Sequence, residues 1–394
     1  MRTPCELRTV VTILEIFAEL LGDAFGKAPC YNTVENWVKK LGLSVYQDDQ
    51  SCKDKKFAMV VDESIAINGQ KLLLTLGVPS EHQGRPLRHE DVTALDMSVS
   101  KSFNGDDVQD RIEAAEKSAG SASDYIIRDK GRNLVKGITD SGHIYHADIS
   151  HSMGVILKEV YGKLSDFMEL IILLGKKRLQ YHLTDKAYLL PPNMRAVSRF
   201  MNMSSWVLWG NEMLNSYDTL PKKMQEGYAF IKDYESLLRE LQTVICAVRH
   251  VETICKNEGF SIMTSRKCKS YIITHVLGNA HYRQARVGIE MLEYFNREEA
   301  PLSGNMSINL SSDIIESTFG ICKSKKSPNK LYGVTSFVLT IPLYSKVANK
   351  SVTKTIKIKE RIVNVKLKDI SVWSTEHLTK NWVTERTKTL RKVS

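Results

Sequence analysis

Three acidic residues occupy positions in the sequence from which their carboxylates can converge on a metal ion. Asp62 ends the apolar run of FAMVVDES, and Asp129 ends the apolar run of SDYIIRDKGRN. Short apolar runs of this kind predict strands, and neighbouring parallel strands bring their C-terminal ends together at one edge of a sheet. The third acid, Glu316, lies in the helical pattern SSDIIESTFGICK. Crowded carboxylates remain ionised at neutral pH when a divalent cation neutralises their charge.

Ligation by oxygen alone suits Mg²⁺ or Mn²⁺. Two such ions about 4 Å apart can activate an attacking hydroxyl and stabilise the leaving oxygen in phosphoryl transfer. The sequence therefore predicts that Asp62, Asp129 and Glu316 are catalytic and hold two ions. Asp148 is an alternative second acid, because it ends the later run HIYHAD. His151, three residues further on, is either an accessory group that stacks on a base or orients a metal ligand, or a structural residue.

The elements that must position these acids alternate between strand and helix patterns. Three strand-like runs come first, and Asn-Gly, a strong hairpin signal, separates the first two. A helix, a fourth strand, a short helix and a fifth strand follow. The predicted ranges are 57–64, 71–78, 93–100, 106–119, 123–129, 133–138 and 143–151. This order is that of the ribonuclease H-like fold, so the sequence predicts an α/β protein with a mixed five-stranded sheet.

The remainder of the chain is predicted to be mostly helical. Apolar residues at helical spacing over 152–300 indicate a large all-helical insertion into the domain that begins at 57–151. The last part of that domain, 301–345, brings Glu316 back to the sheet, and its stretch YGVTSFVLTIPLYS fits either helix or strand.

The N-terminal segment, 1–46, reads as two helices joined by a turn, an arrangement resembling a helix-turn-helix. The second helix is expected to end at Gly42 and to bury Trp37 in the core. A polar linker, 47–56, follows. On the outward face of the second helix, the residues predicted to contact DNA are Asn36, Lys39 and Lys40.

Positive charge is concentrated towards the C-terminus. Residues 323–394 hold 17 Lys and Arg against 4 Asp and Glu, a net charge of +13 in a chain whose total is +10. Such an asymmetry indicates a polyanionic partner, of which nucleic acid is the commonest, and a merely solubilising tail is the alternative. The segment 346–394 is predicted to be a basic DNA-binding tail. The lysines predicted to neutralise DNA phosphates, unless they form a solvated loop, are Lys323, Lys325, Lys326 and Lys330.

Several protein classes are disfavoured by composition. No apolar run approaches the roughly 20 residues that span a bilayer, and the sequence begins without a secretory-signal pattern. Its seven cysteines are odd in number and contain no C-x-x-C pair, which argues against structural zinc and a disulfide framework. A cytoplasmic protein without a membrane partner is therefore expected.

Together, the three acids resemble the catalytic motifs of DDE/DDD transposases of bacterial insertion sequences. VVDES resembles the first motif, IIRDKGRNLVKGI the second, and DIIESTFGICK the third, with Lys323 seven residues after Glu316. The long helical insertion resembles that of the hAT group. In that group a C-x-x-H motif follows the second acid, and here DISH stands in its place, with Asp148 where the cysteine would be.

The resemblance implies a ribonuclease H-like transposase that uses Mg²⁺ or Mn²⁺. Such an enzyme cleaves double-stranded DNA at transposon ends and joins the freed 3′-hydroxyl to target DNA. It further implies a homodimer or higher oligomer on DNA, and a bacterial, nucleoid-associated location in the cytoplasm. Two alternatives remain open: a nuclease of the same fold without strand transfer, and a catalytically inactive descendant that binds DNA.

Overall fold

The computed structural model describes most of the chain in two compact units. The first comprises described residues within 1–146 and 312–394, and the second those within 147–311. None of the helices within these described residues is long and apolar enough to cross a bilayer. The described ranges are 6–48, 52–53, 55–64, 69–193, 200, 203–278, 281–304, 306–324, 333–348, 357–379, 386–387 and 389–391.

A mixed five-stranded sheet in the order β3-β2-β1-β4-β5 organises the first unit. β1 pairs antiparallel with β2 and β2 with β3, whereas β1 pairs parallel with β4. The prediction of a mixed five-stranded sheet is thus confirmed. The strands are β1 (Phe57–Glu63), β2 (Lys71–Pro79), β3 (Thr93–Ser100), β4 (Ile126–Arg128) and β5 (Tyr145–Ala147).

Two helices, α3 (Gly105–Ala119) and α4 (Arg132–Asp140), cover one face of this sheet. α3 begins where Asn104 and Asp107 exchange hydrogen bonds between side chain and backbone, at 2.8 and 2.9 Å. Its apolar stripe and that of α4 enter one buried cluster with alternate residues of the strands. Each large side chain buried there contributes about 1.5–3 kcal/mol. The main members are Phe57, Met59, Val61, Leu73, Leu95, Val108, Ile112, Ile126, Leu134 and Ile138.

The N-terminal helices α1 (Leu7–Leu21) and α2 (Tyr31–Asp48) belong to the same unit. The two helices predicted in this segment are present, but the expectation that Gly42 ends the second helix is wrong. α2 continues through Gly42, where it crosses a 3₁₀ turn, Ser336–Thr340. A Cβ at this position would lie 1.8 Å from the carbonyl oxygen of Leu339. Glycine is therefore required here for close backbone packing.

The C-terminal helices pack against α2. Arg361 donates to Asp48 at 2.9 Å, and the rings of Tyr46 and Trp373 meet edge to face. Trp37, expected in the core, is 42% exposed, because burial of α2 is concentrated in its second half, over 42–45. The described part of YGVTSFVLTIPLYS, which by sequence fits either helix or strand, is helical: it contains the 3₁₀ turn and the start of α13 (Pro342–Ala348). Two further helices follow, α14 (Ile358–Asn364) and α15 (Leu367–His377).

The named elements in the second unit are helices, as the spacing over 152–300 predicts. The expectation of a strand reaching residue 151 is wrong, because the strand ends at Ala147 and α5 begins at Ile149. The helices are α5 (Ile149–Tyr161), α6 (Ser165–Tyr181), α7 (Met203–Ser216), α8 (Lys222–Tyr228), α9 (Glu235–Glu258), α10 (Ile262–Ile272), a π-helical turn (Ile273–Leu277) and α11 (Tyr282–Glu299).

Candidate active site

Asp62 and Asp129 each follow the segment over which β1 and β4 pair in parallel. In that segment Met59, Val60 and Val61 pair with Ile126, Ile127 and Arg128. Asp62 is still in β1, whereas Asp129 directly follows β4. Paired positions of adjacent strands lie about 5 Å apart, so the two acids lie at the same edge of the sheet. Side chains alternate along a strand, and Met59 and Val61 point towards α3 and α4, which places Asp62 on the opposite face.

Backbone amides hold both carboxylates at this edge. The amide of Glu63 donates to Asp62 Oδ1, and the amide of Gly131 donates to Asp129 Oδ1, each at 2.7 Å. A Cβ on Gly131 would lie 2.9 Å from Asp129 Oδ1, so a residue without a side chain allows this turn into α4. Both acids are half-buried. The strand ends thus present two oriented oxygen donor groups.

Glu316 lies on α12 (Asp313–Ser324), which packs against β1. Ile314, Ile315 and Phe319 form the buried face of this helix, whereas Glu316 is exposed to solvent. Within the ranges described above, no three His, Cys, Asp or Glu side chains are close enough together to hold a metal ion. The sheet therefore brings together the two aspartates, and the three acids do not form a common group in this structure.

His89 contacts the helix that carries the third acid, a feature that the sequence analysis missed. It lies between β2 and β3, where its Nε2 is 3.2 Å from the hydroxyl of Ser317, the neighbour of Glu316. Its ring meets Tyr344 edge to face, and burial lowers the pKa of this imidazole below its usual value. His89 Nδ1 is buried without a hydrogen-bond partner among the described residues. No local motif signals this histidine, because folding alone brings the β2–β3 connection to α12.

The β2–β3 connection is held in shape by ion pairing. Arg85 donates to both carboxylate oxygens of Asp91, at 2.6 and 2.8 Å, and Asp91 also accepts from the backbone amide of Arg88. A bidentate pair of this kind fixes geometry as well as charge. The Arg85–Asp91 pair therefore fixes the turn that places His89 next to α12.

Of the four predicted phosphate-binding lysines, Lys323 is described, and Lys325, Lys326 and Lys330 lie outside the described residues. Lys323 is half-buried at the end of α12, with its Nζ 5.5 Å from the centre of the Phe319 ring. The chain resumes at Gly333, and the amide of Val334 donates to Gln70 Oε1 at 2.7 Å. Gln70 is 2% exposed and immediately precedes β2. The described residues on either side of the lysine-rich segment therefore lie at the end of α12 and beside Gln70.

Asp148 has a defined structural role. Its carboxylate accepts from the backbone amide of His151 at 2.6 Å, which makes it the N-cap of α5, and it is only 1% exposed. The preceding Ala147 accepts from the Tyr294 hydroxyl and donates to Glu298. Asp148 therefore directly follows β5, as the sequence predicts, and its carboxylate caps the helix that begins there.

The polar face of α2 is engaged within its own unit. Lys39 pairs with Glu35 one turn earlier, at 2.6 Å, and Lys40 donates to the carbonyl of Ile362 in α14 at 3.5 Å. Asn36, Lys39 and Lys40 are all half-buried. Their predicted contact with DNA remains a prediction.

The chain was also compared with known proteins. No protein-family model and no curated protein matches it.

Proposed function

We propose that this chain is a metal-dependent DNA transposase with a ribonuclease H-like catalytic unit. The register of β1 and β4 carries the proposal, since Asp62 and Asp129 both follow the segment over which these strands pair in parallel. The strand order 3-2-1-4-5, with β1–β2 and β2–β3 antiparallel and β1–β4 parallel, supports it further. So does the block of helices between β5 and α12, which fits an insertion ahead of the third acid.

Asp62, Asp129 and Glu316 would hold Mg²⁺ or Mn²⁺, two ions in all. The two aspartates fit this role because each offers carboxylate oxygen, the donor that these hard cations take, at neighbouring strand ends. Bound ions would supply activation of a hydroxyl and neutralisation of the leaving oxygen. For Glu316 to share this site, its side chain or α12 must move towards the strand ends, and binding of DNA is the expected cause.

The reaction proposed consists of two displacements at phosphorus. Water breaks a phosphodiester at the transposon end and leaves a 3′-hydroxyl; this hydroxyl then displaces a 3′-oxygen from phosphorus in the target strand. The basic segment from Lys323 onwards would hold the backbone of double-stranded DNA, and the N-terminal helices would assist. We further propose that the protein acts in a bacterial cytoplasm, on the DNA of the nucleoid, as a homodimer or higher oligomer.

The experiment uses labelled duplexes that carry the DNA flanking the reading frame, together with a target plasmid and Mg²⁺ or Mn²⁺. The intact chain is expected to release 3′-hydroxyl ends and to join them to the plasmid. Asp129→Asn should lower cleavage by roughly 10²–10³-fold, because it removes a metal-ligating charge worth several kcal/mol in the transition state. Binding of the duplex should be nearly unchanged.

Two variants serve as controls. Asp124→Asn alters an acid two residues before the same strand, which accepts a hydrogen bond from Ser80, and it should leave cleavage intact. Asp148→Asn should have a mild effect, since asparagine also caps helices. Cleavage without joining would point instead to a nuclease. If Asp148→Asn abolished cleavage while Asp129→Asn remained active, the assignment of the second acid would be wrong.

A further inference from the structure

Helix α1 leaves a large apolar surface uncovered. Leu20 is 74% exposed, Leu21 54% and Ile16 49%, values far above those of core residues. Phe17 stacks on Phe25 at the surface, with ring centres 6.3 Å apart. We call this surface the α1 patch; it comprises Ile13, Ile16, Phe17, Leu20, Leu21 and Phe25.

The α1 patch is separate from the side of α1 that is buried in its own unit. α1 packs against α2, and Val11 is its buried residue. At about 100° per residue, Val11 lies roughly 160° around the helix from Ile13. Ile13, Ile16, Phe17 and Leu20 follow the spacing i, i+3, i+4, i+7, which is that of a packing stripe. A helix with apolar residues on both sides is normally buried on both sides.

We propose that the α1 patch is a self-association surface, occupied by α1 of a second copy of this chain. The remaining side of the helix carries Glu15 and Glu19, with Arg8 between them around the helix axis, and all three are exposed, so the acids outnumber the one base there. Acidic residues disfavour nucleic acid and anionic membrane as occupants, since surface-bound helices carry Lys and Arg there. The stripe has Ile16 and Phe17 at its centre and one branched aliphatic residue on each side, so it complements itself across a two-fold axis.

The size of the α1 patch fits this partner. Six large side chains, each about half exposed, present on the order of 600 Å², which is the upper end for a monomer's largest apolar patch. Standard interfaces bury about 800 Å² per partner.

Sedimentation velocity over a range of concentrations, without DNA or metal, tests the association independently of the proposed function. The unaltered chain is expected to be dimeric at micromolar concentration. Ile16→Glu and Leu20→Glu should each raise the dimer dissociation constant at least tenfold. Leu183→Glu, at a residue 87% exposed in the second unit, should not. A monomer at all concentrations, or a dimer insensitive to both α1 substitutions, would overturn the proposal.

Disulfide crosslinking tests the relative direction of the two α1 helices, in a variant in which Cys5, Cys30 and Cys246 are each replaced by Ser. Ile16→Cys lies next to the two-fold axis and should crosslink readily. Ile13→Cys and its counterpart would lie about 10 Å apart along the helix axis, seven residues at 1.5 Å each, and should crosslink poorly. Equal crosslinking of both would overturn the antiparallel arrangement. If Ile16→Glu and Leu20→Glu lowered the thermal midpoint of an already monomeric chain, a segment of the same chain would cover α1, and the proposal would be wrong.

Discussion

The two units treat their carboxylates in opposite ways. In the helical unit Glu240 is 7% exposed and fully engaged: it accepts from the Tyr161 hydroxyl at 2.7 Å and from Arg283 Nε and Nη2 at 3.1 and 2.8 Å. Arg283 also reaches Asp166 at 3.3 Å. In the sheet unit, Asp62 and Asp129 lie half-buried at strand ends, where each accepts a hydrogen bond from a backbone amide.

These environments have different consequences. Hydrogen bonding to Glu240 raises the pKa of the Arg283 guanidinium, and burial, with the same carboxylate, raises the pKa of Tyr161. Glu240, on α9, thus links three helices, because its partner Tyr161 lies on α5 and its partner Arg283 lies on α11. Asp62 and Asp129, by contrast, concentrate negative charge at one edge of the sheet and contribute little to packing. Carboxylates arranged in this second way are candidates for a site, whereas those of the first kind are structural.

The largest effect on stability is expected at Glu240. Glu240→Ala leaves Arg283 without its main partner, and breaking a buried pair in this way costs about 3–5 kcal/mol. Urea unfolding followed by circular dichroism measures this loss. Glu235→Ala is the matched control on the same helix, because its pair with Arg239 is exposed and should contribute under about 0.5 kcal/mol. Equal effects of the two substitutions would contradict the distinction between the units.

Asp96 lies in the sheet unit but is buried, as Glu240 is in the helical unit. It is 3% exposed, its nearest cation is Arg111 at 3.8 Å, and burial raises its pKa to about 6. The pKa of an unfolded aspartate is about 3.9. Folding therefore favours the protonated acid: its contribution is fully present below about pH 4 and is lost as the pH rises to about 6.

Asp96→Asn should consequently stabilise the chain above pH 6, by up to about 3 kcal/mol at 1.36 kcal/mol per pKa unit. The gain should vanish near pH 4, and thermal unfolding between pH 4 and pH 8 measures it. Asp106→Asn is a control, since that side chain is 80% exposed. A less stable Asp96→Asn variant at pH 7.5 would show that the pair with Arg111 outweighs burial.

The smallest effect concerns Lys323, and it depends on the proposed function. If Lys323 contacts one phosphate, Lys323→Ala should reduce the slope of log affinity against log salt by about 0.9, equally for transposon-end and unrelated duplexes. Cleavage should fall more than binding, because Lys323 lies about two helical turns after Glu316. Lys222→Ala, an exposed lysine of the second unit, should change neither. An unchanged slope for Lys323→Ala would mean that this lysine does not contact DNA.

Some features of the fold follow from local sequence and others do not. Alternating and helical apolar spacing is a local property, so β1, β2, β3 and α3 appear within one or two residues of their predicted bounds. Gly42 shows the limit of such reasoning. Glycine ends many helices, yet here it allows the backbone of Leu339 to approach, and a contact across about 300 residues leaves no local signal.

Local sequence is enough to predict that Asp62 and Asp129 close short apolar runs, because the period of a strand and its last residues depend on a few consecutive positions. The pairing of β1 with β4, its parallel direction and its register, with Val61 opposite Arg128, appear only in the folded chain. The folded chain also makes Asp148 the N-cap of a helix and brings His89 to Ser317. Strand order and long-range contacts depend on packing of the whole chain, whereas side-chain alternation depends on a few consecutive residues.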